Sequence, residues 1–345
     1  MSEGYNSGYG QARADAVQRI EEALATVKYG LEHASKHAPE EIQSQLRQKH
    51  EALIWARALI KELRPKKQKE EPAMSGTKPL VIYHGGCLDG FTAAWCMYQR
   101  FGAEAEYTPA FYGQTAPEVK GREVYLVDFS YPREMLLRMH AEAASLLVLD
   151  HHKTAEEDLK GLEWAQFDMN RSGAGMAWDW AFPHKPRPVF VDYVEDRDLW
   201  RFALESSKAV NAYISAQEMT LSRWDELSKL TCIYMASAGQ GVLHYVDRYV
   251  REMSLQAQKQ PFLGYADIPV VNAPYINTSE LVGALAEGAL FAVGWFLRGD
   301  GKVQYSLRSR GEFDVSALAK SQGGGGHKNA AGFVIELDKA HLLLT

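Results

Sequence analysis

The sequence predicts a two-lobed α/β protein. A parallel-sheet domain is followed by a smaller α+β domain, and an α-helical hairpin precedes both. Three observations carry this. Between residues 78 and 152 the short apolar runs PLVIYHGG, REVYLVDFS and SLLVLDHH alternate with helical stretches. Such alternation implies a parallel sheet covered by helices on both faces. After Pro261 the runs IPVVNAP, FAVGWFL, KVQYSLRSR and AAGFVIEL are spaced by helices and turn residues, the pattern of a compact α+β unit. Before residue 64, apolar residues recur at three- and four-residue spacing.

Taken in order, residues 1–12 are rich in Gly, Ser and Tyr and read as a mobile lead-in. Val17, Ile20, Leu24, Val27 and Leu31 share one helical face. Ala38-Pro39-Glu40 breaks that helix, with Pro at a first-turn position. A second helix carries Ile42, Leu46, Leu53, Ile54, Ala58 and Ile60. A hairpin over 1–63 buries little alone, so it is expected to pack on the main body or to form a homo-oligomer. Residues 64–77, RPKKQKEEPAMSGT, are a charged linker. Residues 78–203 form the parallel-sheet domain, 204–260 a helical connector and 261–345 the smaller domain. In the last, SELVGALAEGA reads as a Ser-capped helix and Gly299-Asp300-Gly301 as a hairpin turn. DVSALAKSQ is a further helix.

Composition narrows the function classes. A chain of 345 residues with net charge −6 does not provide a broad basic surface for long duplex nucleic acid, although a local basic groove is compatible with it. Three cysteines, Cys87, Cys96 and Cys232, are too few for a disulfide scaffold and fit a reducing compartment. The N-terminus lacks the apolar core of a signal peptide. No run approaches the roughly 20 apolar residues of a membrane span. The expectation is a soluble cytoplasmic protein without a membrane partner.

The chemistry concentrates at strand ends. Asp89, Asp128 and Asp150 each stand at or just past the end of an apolar strand, where open parallel sheets bind their ligands. Carboxylates crowded into one crevice repel unless a cation neutralises them. His84, His151 and His152 lie in the same loops. A mixed Asp/His set suits Mn²⁺, Fe²⁺, Co²⁺ or Mg²⁺ with water ligands better than a closed Cys-type zinc site. Each strand-end Asp taken alone reads more readily as a helix N-cap than as a metal ligand. Their joint placement points to a metal centre.

His84-Gly85-Gly86-Cys87-Leu88-Asp89-Gly90, Val127-Asp128 and Leu149-Asp150-His151-His152 together resemble the motifs of the DHH phosphoesterase superfamily. Gly323 through Gly332, GGGGHKNAAG, is similar to the signature of its companion DHHA1 domain. The resemblance covers about residues 78–345. It implies a DHH catalytic domain and a DHHA1 substrate-binding domain. It also implies a hydrolase, a Mn²⁺-dependent phosphodiesterase using metal-activated water, with Mg²⁺ or Co²⁺ as other ions. Residue by residue, Asp128 matches a ligand bridging two metals. Asp89, His151 and Asp196 match ligands of one metal, and His84 matches a ligand of the other. Asp150 matches the partner that orients a histidine, and His152 the histidine facing the substrate phosphate. Glu195 and Asp198, beside Asp196, read as surface charge or as one further acceptor. The sequence departs from the family where an Asp is usual and Cys87 stands instead. Cys87 reads either as a thiolate ligand or as a small buried residue in a tight turn.

In the second domain, glycines at 323–326 let backbone N–H groups approach a phosphate. Gly324, Gly325, Gly326, His327, Arg308 and Ser309 are the candidate substrate contacts, and Arg310 shares a strand face with Arg308. The implied substrates are short RNA or DNA, as for a nanoRNase-type oligoribonuclease. A cyclic di- or oligonucleotide is the alternative, and an inactive nucleotide binder a further one. Glu51 through Ile60 is loosely similar to small helical phage proteins that sequester cyclic dinucleotides; a generic oligomerising hairpin is the other reading.

Overall fold

A computed structural model describes residues 18–28, 49, 50, 53 and 78–344, with the side chains of 341–344 left aside. The chain divides into two compact units, Met1–Ser75 and Gly76–Thr345. In the first, residues 18–28 are helical, as the spacing predicts. The lead-in, the remainder of the hairpin and the linker lie outside the described residues.

The second unit holds two sheets. The first is wholly parallel and contains β1 (Leu80–His84), β2 (Glu106–Ala110), β3 (Glu123–Val127), β4 (Ser145–Asp150) and β5 (Ala165–Phe167), in the order β2-β1-β3-β4-β5. Helices α1 (Leu88–Phe101), α2 (Arg133–Glu142) and α3 (Lys153–Asp158) follow β1, β3 and β4. α4 (Gly173–Ala181) and α5 (Val189–Asp198) complete this lobe. Alternate residues of β1 enter different cores: Val81 joins Trp95, Phe190 and Trp224, whereas Leu80 and Ile82 join Val124, Leu126 and Leu136. Burial on both faces explains why the central strands read as continuous apolar runs. The chain leaves β1 for β2 on one side and returns to β3 on the other. That reversal opens a crevice at the carboxyl ends of β1 and β3.

The sequence did not reveal β2 or β5. Both are edge strands with mixed exposure, so neither carries a full apolar run. Pro109 within β2 is tolerated because an edge strand has one unpaired side.

Three helices follow: α6 (Ser207–Ser215), α7 (Leu221–Leu227) and α8 (Cys232–Ser254). The predicted helical stretch 204–260 runs too far. Residues from Gln258 onward form β6 (Gln258–Phe262), paired antiparallel with β7 (Tyr265–Asn272), and the register shifts between Gln260 and Phe262, around Pro261. β8 (Ala292–Leu297) and β9 (Lys302–Arg308) form the predicted hairpin. β10 (Gly325–His327) and β11 (Ala330–Glu336) complete a six-stranded sheet in the order β10-β11-β9-β8-β7-β6. Helix α9 (Thr278–Leu285) is not Ser-capped. It is entered from Asn277, at φ 59°, and Ser279 is engaged by Arg308 instead. Helix α10 (Val315–Ser321) is capped by Asp314, whose carboxylate accepts the N–H groups of Ser316 and Ala317.

Candidate metal centre

The crevice between β1 and β3 gathers most of the predicted ligands. Asp128 follows β3 in the left-handed conformation, at φ 55°. A non-glycine residue held there is strained, a feature that clusters at functional sites. Its neighbours leave no slack. A Cβ on Gly173 would lie 2.4 Å from the Asp128 Cβ, so the N-terminus of α4 rests directly against Asp128. That N-terminus also holds Asp89, whose carboxylate accepts the N–H groups of Gly173 at 2.6 Å and Ala174 at 3.1 Å. Asp89 lies in the first turn of α1 as well, where the helix dipole favours an anion.

His151 Nε2 faces three carboxylates: Asp128 at 3.1 Å, Asp198 at 3.4 Å and Asp89 at 3.6 Å. Burial, with Asp128 and Asp198 nearby, pushes the Asp89 carboxyl well above its usual range. Burial also raises Asp198, with Asp128 adding to it. For Asp128 burial acts in the same sense, but the hydrogen bond with His151 and the nearby His84 and His152 prevail and hold it low. Burial would lower His151, yet Asp128 and Asp198 raise it well above an ordinary imidazole. Among the described residues, Asp128 Oδ2 and Asp198 Oδ2 are buried with no hydrogen-bond partner. Orphaned acceptor-only oxygens beside an imidazole nitrogen fit a divalent cation: Asp89, Asp128 and His151 offer ligand atoms within 4.8 Å of one another, and Asp198 faces the same nitrogen.

It is Asp198, not Asp196, whose carboxylate enters this cluster. Asp196 instead accepts the N–H groups of Ala203 at 2.9 Å and Leu204 at 3.2 Å. It staples an irregular loop in which Trp200 and Phe202 have positive φ. Glu195 lies in neither place. Its carboxylate accepts the Ser172 N–H at 3.0 Å and pairs with Arg187 at 3.1 Å, which fixes the start of α4.

Asp150 is fully buried and spends its oxygens on the protein. Ser130 Oγ donates at 2.5 Å, the His151 N–H at 2.7 Å, and His152 Nδ1 lies at 2.7 Å. Asp150 therefore orients His152. Burial pushes its pKa upward, but His152 outweighs that and holds it low. Ser130 carries no motif signal and was missed. His84 ends β1 with Nδ1 3.6 Å from Asp128 Oδ2. His84, Cys87 and Asp128 offer ligand atoms within 4.8 Å of one another. Tyr112, also unforeseen, packs its ring 5.4 Å from that of His84.

The second lobe reaches in from β9 and β10. The His327 ring stacks on His152 at 4.5 Å and lies 4.6 Å from His151. Burial, reinforced by those two histidines, pushes its pKa well down. Arg308 donates to Ser279 Oγ at 2.7 Å and to the Leu307 carbonyl at 2.8 Å. Burial, with Arg197 nearby, lowers it to about 10, so it stays cationic at neutral pH.

Other predicted contacts are placed differently. Ser309 Oγ donates to the Phe313 carbonyl and accepts from Asn329, so it shapes the β9–α10 loop. Arg310 turns to the Gly283 carbonyl. The glycine run does not present a free row of N–H groups. Gly324 N–H goes to the Ala319 carbonyl at 2.9 Å and Gly326 N–H to Thr154 Oγ1 at 3.2 Å. Cβ atoms at 324 and 326 would strike β11, and one at 325 would strike Thr154, so these glycines allow close packing. Lys153–Asp314 at 2.5 Å, Lys320–Glu157 at 3.1 Å, Arg197–Glu280 at 2.6 Å and Tyr275 Oη to the Gly86 carbonyl at 3.0 Å tie the lobes around the centre.

Residues 278–345 match the family model described as the DHHA1 domain. Residues 278–345 therefore carry a DHHA1 domain, and the motifs that resemble the DHH phosphoesterases converge at the centre before it. The chain is 28% identical over 281 residues to uncharacterized protein R106 of Acanthamoeba polyphaga mimivirus, covering 73% of this chain. The match spans 66% of that relative, just under two thirds of its length. Among solved structures it is similar to an uncharacterized protein from Helicobacter pylori G27, at TM-score 0.33 and 16% identity over 75% of this chain and 93% of that one. It is also similar to PggH from Vibrio cholerae, described as a pGpG-specific phosphodiesterase, at TM-score 0.43 and 13% identity over 77% and 96% of the two chains. His327 and Arg308 lie within the DHHA1 segment, Asp89 through Asp198 before it. Among the described residues no helix is long and apolar enough to cross a membrane.

Proposed function

We propose that this chain is a metal-dependent phosphodiesterase that hydrolyses short linear oligonucleotides, with Mn²⁺ as the expected ion. One observation carries the reading. The carboxylates around His151, two of them with orphaned oxygens, lie beside the His327 imidazole of the DHHA1 segment.

Asp89, Asp128, Asp198 and His151 would hold a cation. Bound there, it would lower the pKa of water and offset the charge growing on phosphorus. The chain's own residues supply the rest. His152, with Nδ1 held by Asp150, keeps Nε2 for a non-bridging oxygen or for proton delivery to the leaving oxygen. Among the described residues Arg308 has no carboxylate within salt-bridge distance, and it is offered to a phosphate as a bidentate donor. His327 is disfavoured as a cation and serves as a neutral hydrogen-bonding group. The lobe-to-lobe ties favour a substrate of a few nucleotides over a polymer that must thread through.

The test is a product-resolved assay with Mn²⁺ on linear di- to pentanucleotides of RNA and DNA, cyclic dinucleotides and pyrophosphate, with Asp128→Ala beside the wild type. Mononucleotides from linear substrates support the proposal. Linearised cyclic substrate alone would move the specificity to signalling nucleotides. No turnover, with Asp128→Ala binding nucleotide as wild type does, would leave an inactive binder.

A further inference from the structure

The cluster holds a second constellation of a different chemical kind. His84, Cys87 and Asp128 bring an imidazole nitrogen, a thiol sulfur and a carboxylate oxygen within 4.8 Å of one another. Gly86, at φ +68°, turns the chain between β1 and α1, and Cys87 stands at the N-cap of α1. Cys87 is a free cysteine. Asp128 Oδ2, the oxygen facing His84 Nδ1 at 3.6 Å, is buried without a hydrogen-bond donor among the described residues. An acceptor left unpaired between a histidine and a cysteine is a position for a cation. The other constellation, Asp89, Asp198, Asp128 and His151, offers three carboxylates and a single nitrogen.

We infer that the two cation positions differ in kind, and that His84, Cys87 and Asp128 take a thiophilic divalent ion, Co²⁺ or Zn²⁺, with the Cys87 thiolate as ligand. This rests on the metal-dependent reading above. Thiolates select softer ions, whereas carboxylate-rich positions suit Mn²⁺ and Mg²⁺. Forming the sulfur–metal bond releases the thiol proton to solvent, so no oxidant or reductant is required. Asp128 is shared by both positions, which sets one hard and one soft ion against the same carboxylate.

The experiment titrates Co²⁺ into the metal-free full-length protein and records near-ultraviolet and visible spectra, with calorimetry in parallel. The expected result is a thiolate-to-cobalt charge-transfer band that Cys87→Ser abolishes and Cys232→Ser leaves intact. Zn²⁺ displaces the band, and excess Mg²⁺ does not. Unchanged thermal unfolding of Cys87→Ser confirms that loss of the band is loss of a ligand. Visible cobalt bands without the charge-transfer band, a band that survives Cys87→Ser, or displacement by Mg²⁺ would each overturn the inference while leaving a metal centre in place. Failure of Co²⁺, Mn²⁺ and Mg²⁺ alike to bind by calorimetry would instead overturn the metal-dependent reading.

Discussion

Gly173 packs the start of α4 tightly against the centre. Alanine there would place its Cβ 2.4 Å from the Asp128 Cβ, and 2.9 Å from both the Asp128 Cα and Asp89 Oδ2, where ordinary contacts begin at 3.4 Å. A separation of about 1 Å must therefore be made up. Neither side yields freely. The Gly173 and Ala174 N–H groups are bonded to Asp89, and the Asp128 N–H is bonded to the Leu149 carbonyl at 2.9 Å. Overpacking of this kind costs about 1–3 kcal/mol. For a body of this size that is a fall of roughly 2–12 °C in Tm, since each kcal/mol moves Tm by about 2–4 °C. Displacing Asp128 by about 1 Å lowers turnover by about a hundredfold. Gly241, inside α8, is the control, because nothing lies within 4 Å of a Cβ there. Gly241→Ala is expected to stabilise by about 0.5–1 kcal/mol through helix propensity alone. Differential scanning calorimetry, with initial rates on a linear dinucleotide, reads both variants. Wild-type Tm and turnover for Gly173→Ala would refute the claim that close approach of α4 positions the ligands.

Three further predictions follow from the same geometry. Asp198→Asn lowers divalent-metal affinity at least tenfold by calorimetry, because it removes a carboxylate facing His151; Asp196→Asn leaves affinity unchanged and costs about 1 kcal/mol of stability, the worth of a lost backbone hydrogen bond. Arg308→Ala raises KM about ten- to a hundredfold with a smaller effect on kcat, since a bond between charged groups contributes about 1.5–3 kcal/mol. Asp314 is held at about 2, against an ordinary 3.8, because hydrogen bonds from Lys153 and Ser316 outweigh the effect of burial. A depressed carboxylate adds stability that is complete above the unfolded pKa of 3.8 and is lost as pH falls through about 2. The Tm difference between wild type and Asp314→Asn is accordingly near constant well above pH 4, shrinks as pH falls through it and is lost only below about pH 2; a difference independent of pH would contradict this.

The sequence made some features legible and hid others for physical reasons. β1, β3 and β4 are buried on both faces, so their apolar runs were plain, and with them the strand-end residues His84, Asp128, Asp150, His151 and His152. β2 and β5 lie at the edges, and β10 is a three-residue strand built of Gly-Gly-His, so none carries an apolar pattern. Asp196 and Asp198 sit two residues apart on one helix, and a motif match alone does not say which faces the crevice. Periodicity does not decide it: Val191, Val194 and the part-exposed Asp198 follow 0, 3, 7 spacing, whereas Phe190, Tyr193 and the buried Asp196 follow 0, 3, 6. Asp196 lies beneath a loop whose course no local pattern foretells. From its composition the glycine run predicts a phosphate cradle. Its N–H groups serve α10 and Thr154, a long-range partner that the sequence cannot display.

The central claim is that Asp128 and its neighbours hold a divalent cation that drives phosphodiester hydrolysis. The most direct measurement combines metal titration of the full-length protein with chromatography of a linear dinucleotide, for wild type and Asp128→Ala. The account predicts tight Mn²⁺ binding and conversion to mononucleotides by wild type, with both lost together on chelation and in Asp128→Ala. Hydrolysis that persists in chelator, or metal binding and turnover that survive in Asp128→Ala, would contradict it.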